Sequence, residues 1–503
     1  MENFNLLMQG FGTALTLANL LSALIGAFLG TVVGVLPGIG PSTTVALLIP
    51  IAFTMRPETA LIMMTAVYCG AMYGGSLTSI LLKVPGEASS VMTSIDGYEL
   101  AKQGRAGSAL SISAIGSWVG GTLSVVGLMF LAPPLAEFAL KFGPAEYFGV
   151  MVAALLLSVS LMSKDLVKGL VAIGLGLMLS LVGTDLQVGV PRFTLGITEL
   201  LDGVELLTVL IGVFGVGEIF WYFREAREDK SMSERQSIVG GLWPNKEEAR
   251  ASVGPVARGS VVGFIAGVLP GSGSSLGSIL AYVLEKRVSK RPEKFGNGAI
   301  EAVAAAETAN NSATGGALIP MLTLGVPGSG TTAVMMGALM MYGIRPGPML
   351  FTQQADLVWT IIASLYISNI ILLILNLPFV GLFVKILDIP ARYLIPMVLC
   401  LAVVGAYSAN NSLIDIGLVI LFGIVGYFMR LGGFPPAALV LALVLGDRLE
   451  QSFRQALQLS GGDATVFVTK PIAAITLAAG LAAVAWDLYR SYKKRNQARR
   501  AAA

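Results

Sequence analysis

Apolar residues run through this chain in blocks long enough to cross a bilayer, and polar residues gather in short gaps between them. A helix needs roughly 20 residues to traverse a hydrocarbon core of about 30 Å, and runs of that order predict spans near 12–33, 60–82, 108–132, 145–162, 166–184 and 200–222. A polar stretch, 223–258, interrupts the series. Apolar segments resume near 259–284, 299–325, 331–350, 355–384, 388–407, 413–430, 435–446 and 471–490. The pattern predicts a first transmembrane repeat over 10–222, a polar cytoplasmic linker over 223–258, a second transmembrane repeat over 259–450, and a final portion, 451–503, with a polar segment, a last helix and a basic tail.

Within the apolar blocks the helical pattern breaks at Pro-Gly elements, and each break has a partner. Gly34-Val35-Leu36-Pro37-Gly38-Ile39-Gly40-Pro41-Ser42 corresponds to Gly267-Val268-Leu269-Pro270-Gly271-Ser272-Gly273-Ser274-Ser275. Val84-Pro85-Gly86 corresponds to Val326-Pro327-Gly328, Gly74-Gly75-Ser76-Leu77 to Gly315-Gly316-Ala317-Leu318, and Pro144-Ala145-Glu146-Tyr147 to Pro390-Ala391-Arg392-Tyr393. Four anchors in the same order indicate an internal duplication. The arm before the second break, Gly259 to Leu269, has 11 residues, about 16 Å of helix and half the hydrocarbon thickness. Basic residues flank that segment on both sides, Arg250 and Arg258 before it and Lys286, Arg287, Lys290 and Arg291 after it, which under the positive-inside rule makes it a re-entrant hairpin entered from the cytoplasm. The first break has only Arg56 nearby, and five predicted spans between the two hairpins make the repeats inverted. The expected architecture is therefore an all-α polytopic membrane protein, two internally repeated halves in inverted topology, with re-entrant hairpins and discontinuous helices. The basic tail, with Lys493, Lys494, Arg495, Arg499 and Arg500, conflicts with a strict copy of five spans after the second hairpin. An extra crossing at 331–350 or 435–446, or one segment fewer in the first half, would reconcile it.

Composition narrows the classes. The chain of 503 residues is 55% hydrophobic and 13% charged, against about a quarter charged in soluble proteins. It contains no histidine, which removes histidine relays, ligands and triads. Cys69 and Cys400 lie in apolar segments and imply no disulfide framework. The first ten residues lack the features of a cleaved signal peptide. Gly271-Ser272-Gly273-Ser274-Ser275 lacks the Gly-Lys-Ser/Thr ending of a phosphate loop, so energy is expected from an ion gradient or a partner, and no nucleic-acid partner is indicated.

A broken helix exposes N–H groups that favour an anion and carbonyls that favour a cation. The candidate substrate-binding residues are Pro37, Gly38, Gly40, Ser42 and Thr43 at the first break, Pro270, Gly271, Ser272, Gly273, Ser274 and Ser275 at the second, and Gly328, Ser329 and Thr331 beyond the repeated Val-Pro-Gly. Asn310, Asn311 and Ser312, with Gly86, offer the hard oxygen atoms a sodium ion takes. Helix capping by the hydroxyl residues, and an amide network between helices for the asparagines, are the competing structural readings. Glu301 and Glu307 lie in an alanine-rich helical stretch, where an ionisable residue is a functional candidate. Glu218, before Phe220-Trp221-Tyr222, reads as interfacial, and Arg105 and Arg345 lie in comparable loops of the two halves.

The glycine motifs, together with Tyr73-Gly74-Gly75-Ser76, Val84-Pro85-Gly86-Glu87, Asp96-Gly97-Tyr98 and Gly104-Arg105-Ala106-Gly107, resemble the large membrane subunit, TctA, of the tripartite tricarboxylate transporter family. The resemblance covers about residues 10–450. It implies a bacterial inner-membrane, multi-pass permease with no enzymatic activity and no organic cofactor. It also implies work with a small membrane subunit and a periplasmic solute-binding protein, and import of citrate or another carboxylate with a sodium ion or proton as coupling ion. A stand-alone carrier or channel is the alternative, and an intramembrane enzyme a more distant one, since without histidine only serine with lysine or paired carboxylates could serve.

Overall fold

The computed structural model describes residues 2–36, 40–162, 165–185, 188–228, 241–271, 273–386, 399–400, 403–404, 407 and 412–502. Among them the chain is almost wholly helical, with one short antiparallel pairing of Gly183–Thr184 with Pro191–Arg192. In the first half the helices are α1 (Glu2–Ala14), α2 (Leu17–Val35), α3 (Pro41–Ala52), α4 (Pro57–Leu82), α5 (Val91–Lys102), α6 (Ala106–Ala139), α7 (Pro144–Met162) and α8 (Leu166–Ser180). Then α9 (Leu206–Leu210) continues through a π-helical turn, Ile211–Val216, into α10 (Gly217–Glu228). The second half comprises α11 (Lys246–Val268), α12 (Gly273–Val288), α13 (Ile300–Leu324), α14 (Gly330–Met341), α15 (Leu350–Gln353), α16 (Ala355–Asn376), α17 (Val380–Ile386), α18 (Leu413–Leu431) and α19 (Pro436–Leu459). A short α20 (Val466–Thr469) and a long α21 (Pro471–Ala502) follow. Proline opens α3, α4, α7, α19 and α21, where its missing N–H and fixed φ suit the first helical position.

Eight of these helices are long and apolar enough to cross a membrane. Buried centrally, α4 has no exposed residue in its apolar window, and α13 is buried from Ile300 to Thr323 apart from a partly exposed Glu301. Two glycine rows let neighbours approach these central helices at backbone distance. On α2, Gly26, Gly30 and Gly34 face the backbone of Met63, Val67 and Ala71 on α4; on α11, Gly259, Gly263 and Gly267 face Ala305, Ala309 and Ala313 on α13. The registers ascend together, so each pair runs parallel. Since α2 and α4 are parallel neighbours, the intervening α3 must return from the tip of α2 toward its base. The α11–α12 pair is a closed hairpin: Gly273 lies against Gly267, Gly277 against Gly263, and Arg258 grips Glu285 through paired bonds of 2.8 Å at the base.

Three boundaries differ from the sequence expectation. The block read from residue 12 divides at Leu15–Thr16, and α1 packs separately against α16, with Gly10 on the Trp359 carbonyl. The arm before the second break begins at Lys246, thirteen residues before Gly259. It forms because Asn245 caps it: the Asn245 side chain accepts from the Glu248 N–H at 2.8 Å, and Glu248 accepts from the Asn245 N–H at 2.9 Å. The block at 435–446 runs on to Leu459, its polar end carrying an ion-pair cluster of Arg192, Asp185, Glu450 and Arg454. The Pro390-Ala391-Arg392-Tyr393 anchor lies outside the described residues.

Candidate functional site

Four breaks, with described residues Leu36 and Gly40, 83–90, 269–271 and 325–329, approach one another. Two of them are built alike. α4 ends on Lys83 at φ 61° and α13 on Gly325 at φ 67°, both left-handed; this conformation is ordinary for glycine and uncommon for lysine. After each, Val-Pro-Gly folds back along the helix just left: the Val84 N–H donates to the Thr78 carbonyl at 3.4 Å and the Val326 N–H to the Pro320 carbonyl at 3.1 Å. The next residue then caps a new helical start. Glu87 forms a reciprocal capping box with Ser90, and Ser329 forms one with Thr332. Gly86 rests on Gly34 and Gly75, Gly328 on Ala317. A side chain at either position would displace backbone.

The interruptions also touch one another. The Gly271 N–H, on a residue at φ 118°, donates to the Gly328 carbonyl at 3.0 Å, joining the second hairpin tip to the 325–329 break. The Ser42 hydroxyl lies 3.1 Å from that of Thr331, and the Tyr68 hydroxyl 3.2 Å from that of Ser329. Farther along, the Tyr342 hydroxyl donates to the Ala52 carbonyl, and the rings of Phe53 and Tyr342 stack at 5.1 Å. Hence α3 and α14 lie side by side, pointing the same way with their N-termini together. On the other side, α12 packs at the Ala88–Ser90 turn that leads into α5, and the Glu87 carboxylate reaches within van der Waals distance of Gly40. A cavity of about 10 Å3 sits between the tips, lined by Gly271, Pro327, Ser329, Gly330, Ala437 and Leu441. It has room for roughly one water, so a larger ligand could enter only if the tips part.

Of the residues singled out from sequence, Gly40, Ser42, Gly271, Gly328, Ser329 and Thr331 meet in this centre, while Gly273, Ser274 and Ser275 form the first turn of α12. Pro270 stands at the tip. Pro37, Gly38 and Ser272 lie outside the described residues. Thr43 points elsewhere, donating at 2.9 Å to the Phe214 carbonyl in the π-helical turn, a widened turn of the kind that leaves carbonyls available. Asn311 donates to Ser117 at 2.7 Å and to the Glu307 carbonyl at 3.2 Å, and Ser312 donates to the Ser260 carbonyl at 2.7 Å; these two form the interhelical amide and hydroxyl contacts. Asn310 is fully buried beside Glu307, and neither end of its amide makes a hydrogen bond of ordinary geometry. Gly86 belongs to the 83–90 break, beside Thr78.

Tyr68 escaped the sequence reading, and so did the partners of Asp96, Arg105 and Glu218. Tyr68 carried no local signal, since an aromatic residue in an apolar helix reads as core. Asp96 is fully buried and gathers four donors: the N–H groups of Gly296, Gly298 and Ala299 at 2.8 to 3.0 Å, and the Tyr282 hydroxyl at 2.9 Å. It thus fastens α5 to the entrance of α13. Arg105 reaches Glu248 at 2.8 Å, tying the loop after α5 to the start of α11, and Glu218 pairs with Arg430, which covers the Trp221 ring.

Residues 20–441 match the protein family described as "Tripartite tricarboxylate transporter TctA family". The chain is similar to an Agrobacterium vitis protein described as "Uncharacterized 52.8 kDa protein in TAR-I ttuC' 3'region", 47% identical over 495 residues, 98% of each chain. A second protein from that organism, in the TAR-II ttuC' 3' region, is 49% identical over 236 residues, covering 47% of this chain and 98% of its own length. No solved structure matches.

Proposed function

Because the chain belongs to the tripartite tricarboxylate transporter TctA family, a family of multi-pass membrane transport proteins, we propose that it is the substrate-translocating permease subunit of a tripartite secondary transporter. In this reading it imports citrate or a related carboxylate across a bacterial inner membrane, receives it from a periplasmic solute-binding protein, works with a small membrane subunit, and draws on a cation gradient, sodium in the first instance.

The observation that carries the location of the site is the meeting of two helix N-termini. α3 and α14 begin at the Ser42–Thr331 contact and run the same way. Each helix start carries partial positive charge, about half an elementary charge, so their proximity is unfavourable until an anion lies between them. Ser42, Ser329 and Thr331 add neutral donors, and Gly40, Gly271, Gly273 and Gly328 let backbone approach. Ser274, Ser275 and Pro270 belong to the tip that must move for the ligand to enter.

We read the two halves as inverted repeats. The matched cap geometry at Lys83 and Gly325 and the matched glycine rows on α2 and α11 support duplication. Inversion is favoured because α5 reaches Gly296–Ala299 at the entry of α13, whereas α14 reaches Ala52, at the other end of the bundle. In this reading the α2–α3 and α11–α12 pairs enter from opposite faces, as alternating access requires.

The test is uptake of radiolabelled citrate, and of a panel of di- and tricarboxylates, by proteoliposomes holding this chain with its small subunit and binding protein. Uptake that rises with an inward sodium gradient is expected. Equal uptake with and without any cation gradient would establish a channel instead, and chemical conversion of the substrate an enzyme.

A further inference from the structure

We propose that Glu307, Asn310 and Thr93 form the binding site for the coupling cation, a dehydrated monovalent ion of the sodium class, at the seam between α5 and α13. The proposal rests on the reading above that transport is cation-driven, and it assigns the ion to particular side chains.

Glu307 is fully buried in the middle of a fully buried helix. Its Oε1 accepts from the Thr93 hydroxyl, and its Oε2 has no partner. One turn along α13, the Asn310 amide interacts with this carboxylate, yet neither its oxygen nor its nitrogen makes a hydrogen bond of ordinary geometry. Thr93, Glu307 and Asn310 are each without solvent exposure. Buried polar atoms are almost always satisfied, and a cluster left open in an otherwise sealed interior calls for a ligand.

The donor set specifies which ligand. Carboxylate, side-chain carbonyl and hydroxyl oxygens are hard ligands suited to alkali and alkaline-earth ions rather than to soft metals. A single carboxylate neutralises one positive charge, and among the described ion pairs no lysine or arginine answers Glu307. A monovalent ion therefore leaves the site neutral, whereas a divalent ion would leave an uncompensated buried charge. The placement also gives the ion something to do. Thr93 stands one turn after Ser90, whose hydroxyl donates to the Glu87 carbonyl at 2.8 Å and receives the Ser79 hydroxyl at 3.0 Å. An ion bridging Thr93 to Glu307 would steady the 83–90 break against α13, and release of the ion would free it.

The test combines two measurements on the full-length chain. The first is the sodium-induced rise in melting temperature of the detergent-purified protein, with choline as control; the second is the sodium dependence of citrate uptake in reconstituted vesicles. Glu307→Gln should abolish the sodium-induced rise and raise the sodium concentration for half-maximal uptake at least tenfold. Thr93→Val should raise it several-fold, and Glu307→Asp should retain a weakened response; these two carry the test if Glu307→Gln inserts poorly. An unchanged sodium response in all three would overturn the site while leaving cation-driven transport in place. Wild-type uptake driven by a pH gradient and indifferent to sodium would also overturn it, giving Glu307 a proton instead. Wild-type uptake indifferent to both gradients would overturn the coupled-transport reading itself.

Discussion

The 83–90 and 325–332 interruptions share a backbone and differ in charge. Both leave a buried helix through a left-handed residue, fold back through Val-Pro-Gly and restart under a capping box. At the capping position the first has Glu87 and the second Ser329. A carboxyl group at a helix start caps exposed N–H groups from within the chain, so the first interruption supplies its own acceptor. The second is neutral and faces the start of α3 at Ser42, whose cap residue Gly40 the Glu87 carboxyl group approaches from the other side. On the function proposed above, the difference means that one backbone is closed by its own side chain in one half and left available to a solute in the other. A second contrast follows the first: α5 is fastened by Asp96 to the opposite half, while the equivalent place on α14 holds Ala338, buried and without any polar tie.

The comparison can be broken most severely at the contact between the tips. Gly271→Val would force a branched side chain onto a backbone at φ 118° whose N–H donates to the Gly328 carbonyl; uptake should fall by at least about a hundredfold, the scale of a misplaced site, with the amount in the membrane fraction unchanged. Normal uptake by this variant would remove the tip from the mechanism. Copying the first interruption into the second is the next largest change. Ser329→Glu should place a competing carboxylate at the helix start and cut citrate uptake by roughly ten- to a hundredfold, about 1.4 to 2.8 kcal/mol, whereas Ser329→Ala should lose far less. Equal effects of the two would mean that charge at this position is irrelevant.

Asp96→Ala should act on stability rather than recognition. It leaves the N–H groups of Gly296, Gly298 and Ala299 without their acceptor, at a cost of about 3 kcal/mol, visible as a fall of several degrees in melting temperature. A change confined to substrate affinity would refute its role as a fastening. The smallest effect is expected from Tyr68→Phe, which removes one hydroxyl contact to Ser329. A loss of about 1 kcal/mol, roughly fivefold in apparent citrate affinity, would place Tyr68 at the substrate; no change would leave it as core.

The interruptions were legible in the sequence because Pro-Gly inside an apolar run has no other common use, and their repetition fixed which positions belong together. Legible too was the hydroxyl character of Ser42, Ser329 and Thr331. Hydropathy misjudged α11, since a capped helix start rich in charge, such as Lys246 to Arg258, looks like linker until Asn245 and Glu248 are seen to cap it. The pairing of α3 with α14 was hidden because Ser42 and Thr331 are 289 residues apart, and nothing in local pattern sets which helices adjoin. Asparagines 310 and 311 were indistinguishable as sequence; only packing separates the one bonded to Ser117 from the one left open.

The Asp96 fastening has a consequence for biosynthesis. Its acceptor oxygens receive donors 186 to 203 residues later in the chain, so when the ribosome has delivered only the first half, α5 carries a carboxyl group whose donors have not yet been made. The packing around that side chain is therefore complete only once α12 and the entrance of α13 have arrived. The two halves are joined in time as well as in space.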